Sequence, residues 1–106
     1  MEVSVEEVKR MMDAGEEFVL LDIRQPKEYQ TARIEGSLFV PMAELPSRLT
    51  ELKRDIAKPI VTHCHHGVRS LQAAAWLKAQ GFSDVRSMSG GIDAWSLKID
   101  PKVPRY

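Results

Sequence analysis

The stretch Ile60-Val61-Thr62-His63-Cys64-His65-His66-Gly67-Val68-Arg69-Ser70 constrains this chain more than any other, because an apolar run ends in the only cysteine and passes at once into a helix-like segment. It reads as a strand, a tight loop and a helix start, with Cys64 first in the loop. Backbone N–H groups at such a junction have no partner in the strand or the helix, and they converge on the first loop side chain. That geometry binds an anion, and a thiolate is one. A free cysteine has a pKa of about 8.5, and a helix N-terminus or cationic neighbour brings it to roughly 3.5–7.5, making it a nucleophile at neutral pH. The plain alternative is an ordinary buried cysteine.

The rest of the chain supplies a frame for that junction. Ser4 and Glu7 read as a capping box for a first helix over about residues 5–14, with Val5, Val8 and Met12 at helical spacing and Gly15 as its stop. Phe18–Ile23 is a continuous apolar run of strand length, interrupted near its end by Asp22. Pro26 begins a short helix through Gln30, and residues 36–41 form a short strand closed by Pro41. Pro46 starts another helix with Leu45, Leu49 and Leu52 on one face, and residues 60–63 are the second strong strand. Ser70–Gln80 is the clearest helix, ended by Gly81; a strand over 84–88 follows, and Gly90-Gly91 opens a terminal helix through Trp95. This alternation predicts one α/β domain over residues 1–106, a mostly parallel central sheet with helices on both faces. Residues 97–106, with two prolines, have little capacity for regular structure and are expected as an extended tail whose packing the sequence leaves open.

Fifteen basic and fifteen acidic residues cancel, with no block of like charge, so nothing directs the chain to nucleic acid or an anionic membrane. No run approaches the roughly 20 apolar residues of a membrane span. A single cysteine, no internal disulfide and an amino terminus without a signal-peptide core predict a reducing cytoplasm.

Cys64, four intervening residues, Arg69, then Ser70 and an alanine-rich helix resemble the active-site loop of the rhodanese sulfurtransferases. Leu21-Asp22-Ile23-Arg24 with Glu28-Tyr29, Ile34-Glu35-Gly36-Ser37 to Val40-Pro41, and Gly90-Gly91-Ile92-Asp93-Ala94-Trp95 resemble that family's other segments in order and spacing. Arg33 departs from the pattern, standing where the family usually has histidine. The resemblance implies an enzyme that takes sulfane sulfur from a donor such as thiosulfate, holds it as a Cys64 persulfide, and passes it to cyanide or a thiol. It implies no cofactor; the partners are a small-molecule donor and acceptor, or a sulfur-relay protein. A carrier module loaded by a partner protein is the alternative reading. Phosphatases and arsenate reductases of the same fold carry one more loop residue, which weighs against that chemistry.

The loop residues His65, His66, Gly67, Val68 and Arg69 form the expected substrate site, with Asp22, Arg24 and Ser70 in support. Arg69 is expected to donate its fork of hydrogen bonds to loop carbonyls or a carboxylate, and to add positive potential near the thiolate. Gly67 supplies a backbone angle that other residues resist. His65 and His66 edge the pocket, where a pKa near 6.5 would leave them partly cationic and attractive to an anionic donor, or else they are simply solvated. No metal is expected, because adjacent loop side chains point in different directions and no carboxylate–histidine or CxxC partner lies nearby. His63 is expected to be satisfied inside the fold, and Asp22 and Arg24 to form an internal ion pair or loop-capping pair.

Overall fold

Two residues of strand at the amino terminus complete a sheet whose other four strands are predictable from the chain. In the computed structural model, which describes residues 1–55 and 57–106, the strands are β1 (Glu2–Val3), β2 (Val19–Asp22), β3 (Leu38–Phe39), β4 (Ile60–His63) and β5 (Val85–Met88). The helices are α1 (Val5–Asp13), α2 (Pro26–Thr31), α3 (Leu49–Leu52), α4 (Val68–Ala79) and α5 (Gly91–Lys98). All strand pairs are parallel, in the order β1-β5-β4-β2-β3.

The side chains of each strand alternate between two cores, one on each face of the sheet. Leu20 and Val61 face a cluster with Val5, Val8, Met11, Met88, Ile92 and Trp95, from α1, β5 and α5. Their neighbours Leu21 and Ile60 face the other cluster with Leu45, Leu52, Ala73, Ala74 and Leu77, from α4 and the segment before β4. Covering both faces explains why these strands read as continuous apolar runs.

Several boundaries differ from the sequence expectation. In α1 the buried methionine is Met11, three residues after Val8, whereas Met12 lies on the exposed side. Pro46 does not begin a helix: Met42–Glu44 and Lys53–Asp55 are single 3₁₀ turns around the four residues of α3. That segment must seat Leu45 and Leu52 within a short return to β4, and i→i−3 bonds such as Leu45 N to Met42 O do so in fewer residues than an α-helix. Helix α4 starts at Val68 rather than Ser70, because Gly67 at φ +105° is its N-cap. Helix α5 runs on to Lys98, so the irregular tail begins at Ile99. Strand β1 was not expected; it is stabilised by β5, where Ser87 N donates to Met1 O and Ser89 N to Val3 O.

The strand order decides where a site can form. From β2 the chain moves outward to β3 and then returns to β4 on the other side of β2. The connections leave in opposite directions, opening a crevice at the carboxyl ends of β2 and β4. Asp22 ends β2, and Cys64 follows the last residue of β4.

Candidate functional site

At the end of β4 the backbone turns so that Cys64 Sγ faces the start of α4. Gly67 N and Ser70 N donate to Sγ at 3.1 and 3.3 Å, and Ser70 Oγ lies 3.4 Å away. Ser70 is the third residue of α4, so its N–H is one of those the helix cannot use. Ser70 Oγ also lies 2.7 Å from Ser87 Oγ on β5, and Thr62 Oγ1 donates to Ser70 O, which pins the hydroxyl. Burial pushes the Cys64 thiol up, but the bonds from Ser70, Gly67 and the His66 backbone outweigh it and hold the thiol below its ordinary range. The residue is only 1% exposed, yet its sulfur has the donors of an anion site.

The loop's carbonyls are satisfied from the opposite side. Ile92 N donates to Cys64 O at 2.8 Å and Asp93 N to His65 O at 3.1 Å, both from the first turn of α5. The close approach requires Gly91, at φ +62°, since a Cβ there would run into the carbonyl oxygens of Cys64 and His65. Gly91→Ala is therefore expected to cost at least about 2 kcal/mol from strain and overpacking. Urea unfolding checks the loss, and a slowed alkylation of Cys64 reports displacement of the loop.

With Cys64 O and His65 O bonded from α5, Arg69 reaches away from the loop. It makes a two-pronged pair with Glu28 on α2, Nη1 to Oε1 at 2.6 Å and Nη2 to Oε2 at 2.9 Å. Glu28 also accepts from Gln25 N at 3.0 Å, so the capping box of α2 fixes the carboxylate in place. The Arg69 fork, against the cost of partial burial, holds the Glu28 carboxyl down to about 2. The Arg69 charge is held chiefly by Glu28, and the Cys64 thiolate reinforces it.

Asp22 and Arg24 are fully buried beneath this rim. Arg24 Nε and Nη2 donate to Asp22 at 2.9 and 2.7 Å, and further bonds go to Ala32 O at 2.6 Å and Tyr106 Oη at 2.9 Å. His63, in register with Asp22, is buried with Nε2 3.4 Å from Ser37 Oγ. Its Nδ1 has no partner among the described residues, so the expected satisfaction is incomplete. Burial lowers the His63 pKa to about 4, with Asp22 opposing, so the ring is neutral at pH 7. The unfolded chain binds this proton near pH 6.5 and the folded one near 4. Stability contributed by the neutral ring is present above 6.5 and lost as the pH falls towards 4, in all about 3 kcal/mol. Urea midpoints at pH 7.5 and 4.5 should show this slope in the wild type and a shallower one in His63→Gln.

The two loop histidines differ from expectation. Their rings lie 3.8 Å apart, and His65 stacks on Tyr106 with centroids 3.9 Å apart and planes at 9°. Burial and the neighbouring His66 lower the His65 pKa, so His65 is not the cationic attractor anticipated. His66 stays exposed, its Nε2 4.0 Å from Asp93 Oδ2. The expectation that no carboxylate lies near is thus corrected: His65, His66 and Asp93 bring possible ligand atoms within 4.8 Å of one another. Arg105 already occupies the Asp93 carboxylate, with Nε to Oδ1 at 2.8 Å. Val68 is exposed on the outer side of the loop.

Glu28, Ser87, Asp93 and Tyr106 were absent from the expected site. Glu28 stands in one of the resembling segments and Asp93 in another, which is a signal of position but not of role. Ser87 and Tyr106 have no local signal, since only the sheet and the returning tail bring them to the loop.

The family described as "Rhodanese-like domain" matches residues 4–98. Over 103 residues the chain is 38% identical to the thiosulfate sulfurtransferase GlpE of Pseudoalteromonas translucida, covering 97% of this chain and 95% of that one. It is 35% identical to the putative sulfur carrier protein YrkF of Bacillus subtilis, covering 93% of this chain and 52% of the relative. It spans only 37% of the length of a rhodanese-like/PpiC domain-containing protein from Arabidopsis thaliana, to which it is 36% identical. Among solved structures, a thiosulfate sulfurtransferase from Pseudomonas aeruginosa superposes with a TM-score of 0.82 at 35% identity, covering 91% of this chain and 18% of that one.

Proposed function

Since this chain belongs to the rhodanese-like domain family, whose match spans residues 4–98, we propose that it is a sulfurtransferase carrying sulfane sulfur on Cys64. One observation bears most of the reading: the sulfur sits among the N–H groups of Gly67 and Ser70 and the Ser70 hydroxyl. Such donors favour a thiolate before reaction and a terminal persulfide anion after it.

With thiosulfate as donor, the Cys64 thiolate attacks the outer sulfur. The sulfur–sulfur bond of the donor breaks, its electron pair leaves with sulfite, and a new bond joins the transferred sulfur to Sγ. Cyanide or a thiolate then attacks that outer sulfur, and the electron pair of the persulfide bond returns to Cys64. Net oxidation state is conserved across the cycle, so neither a redox cofactor nor a metal is needed. No second cysteine exists in this sequence to resolve the persulfide, so the acceptor comes from outside.

The test is the intact mass of reduced protein before and after thiosulfate, then after cyanide. A gain of one sulfur, removed by cyanide as thiocyanate, supports the reading; no gain with thiosulfate or with any other persulfide donor ends it. A second reading, a carrier loaded by a partner protein, is favoured by the likeness to the relative named a putative sulfur carrier. A carrier would load from the partner while turning over thiosulfate alone without saturation. No helix among the described residues is long and apolar enough to cross a membrane.

A further inference from the structure

The tail that follows α5 returns to the loop. Ser96 Oγ donates to Val103 O, and Val103 is buried in the cluster on the α1 and α5 face. Arg105 then grips Asp93, next to the backbone that holds the loop carbonyls. These two anchors deliver Tyr106 to the catalytic loop from outside. Its ring lies flat on His65, the residue after the cysteine. Its hydroxyl accepts from Arg24 Nη1 at 2.9 Å and donates to Glu28 Oε2 at 2.8 Å, and Glu28 is the partner of Arg69. One side chain thus spans the C-x4-R loop from the residue after its cysteine to the partner of its arginine.

We propose that Tyr106 is a specificity-determining residue: its ring, laid on His65, narrows the approach to Cys64 so that small donors enter and bulky ones are held out. The inference rests on the sulfurtransferase reading for its biological meaning but not for its geometry. Cys64 is 1% exposed whereas Tyr106 is 39% exposed, so the nucleophile lies deep and the ring at the surface. Admission of a large donor requires the ring to leave His65. A small dianion such as thiosulfate needs less space, and its charge is met by loop N–H groups already in place. The hydroxyl has a separate positioning role, since it fixes the Glu28 carboxylate on which Arg69 rests.

The experiment compares alkylation of Cys64 by iodoacetamide and by a bulky fluorescein maleimide in the wild type, Tyr106→Ala, Tyr106→Phe and Arg105→Ala. Loss of an aromatic stack changes the open fraction by about two- to tenfold, so Tyr106→Ala should raise the ratio of bulky to small rates by a factor in that range. Tyr106→Phe keeps the ring and should keep most of the selectivity, while Arg105→Ala, which loosens the anchor, should raise the ratio by a smaller factor. The proposal is overturned if the ratio in Tyr106→Ala stays at the wild-type value. It is equally overturned if both reagents accelerate alike, which is general loosening without selection. Because alkylation needs no sulfur transfer, a wild type that never loads sulfur from any donor sinks the proposed function and leaves this result readable. Where sulfur does load, kcat/KM for glutathione persulfide relative to thiosulfate should rise in Tyr106→Ala in the same direction.

Discussion

Cys64→Ser is expected to take up no sulfur from thiosulfate and to release no thiocyanate above the uncatalysed background. The serine hydroxyl occupies nearly the same space and can keep the contacts from Gly67 N and Ser70 N. It stays protonated at neutral pH, because a serine hydroxyl is far less acidic than a thiol and the hydrogen bonds from Gly67 and Ser70 stabilise an anion without removing its proton. The loss is therefore of the nucleophile alone, and the fold should keep its unfolding midpoint. The check is intact mass after thiosulfate together with a urea titration. A serine variant that still loads sulfur would place the chemistry elsewhere, and one that unfolds would make the cysteine a structural residue.

The largest expected effect on stability lies away from the cysteine. Asp22→Ala leaves Arg24 charged, fully buried and deprived of its two-pronged partner. Removing one member of a buried pair costs about 3–5 kcal/mol, a large share of the 5–15 kcal/mol by which a domain is stable. In the wild type burial opposes the Arg24 charge, but Asp22 and Tyr106 together hold its pKa above the ordinary value. Without Asp22 the guanidinium still keeps its proton, because arginine is not deprotonated in proteins, so the side chain does not escape the cost. Arg24→Lys should also lose much of the stability. A lysine cannot reach Asp22 Oδ1 and Oδ2, Ala32 O and the Tyr106 hydroxyl with one fork. Urea unfolding should show a lower midpoint at an unchanged slope. A drop of less than about 1 kcal/mol for Asp22→Ala would mean that water replaces the carboxylate and that the pair is not what ties β2 to the start of α2.

These two expectations divide along what was readable in the chain. The strand over 60–63, the loop from Cys64 and the long helix after it follow from hydrophobic runs, alanine content and glycine stops, which act over a few residues. The alternation that makes the sheet parallel is equally local, since each strand is followed by a segment able to cross back. Resemblance to a known family placed the cysteine's chemistry. What a one-dimensional reading missed were contacts whose partners are far apart in sequence. Arg69 was expected to close the loop on its carbonyls or on a carboxylate; α5 took the carbonyls of Cys64 and His65, and Glu28, 41 positions away, supplied the carboxylate. The histidines were expected to diverge, and the turn instead stacked them with Tyr106 and brought Asp93 alongside.

The sequence by itself determined most of the elements and the class of fold and singled out Cys64 as the candidate nucleophile, because periodicity, capping and side-chain chemistry are properties of neighbouring residues. Only the tertiary structure decided what surrounds that sulfur. The switch in strand order sets β2 beside β4, α5 closes the loop from behind, and the tail returns Tyr106 to its rim. Each of these rests on hydrogen bonds, ion pairs or ring stacking between segments tens of residues apart, and such pairings exist only once the two cores have folded the sheet.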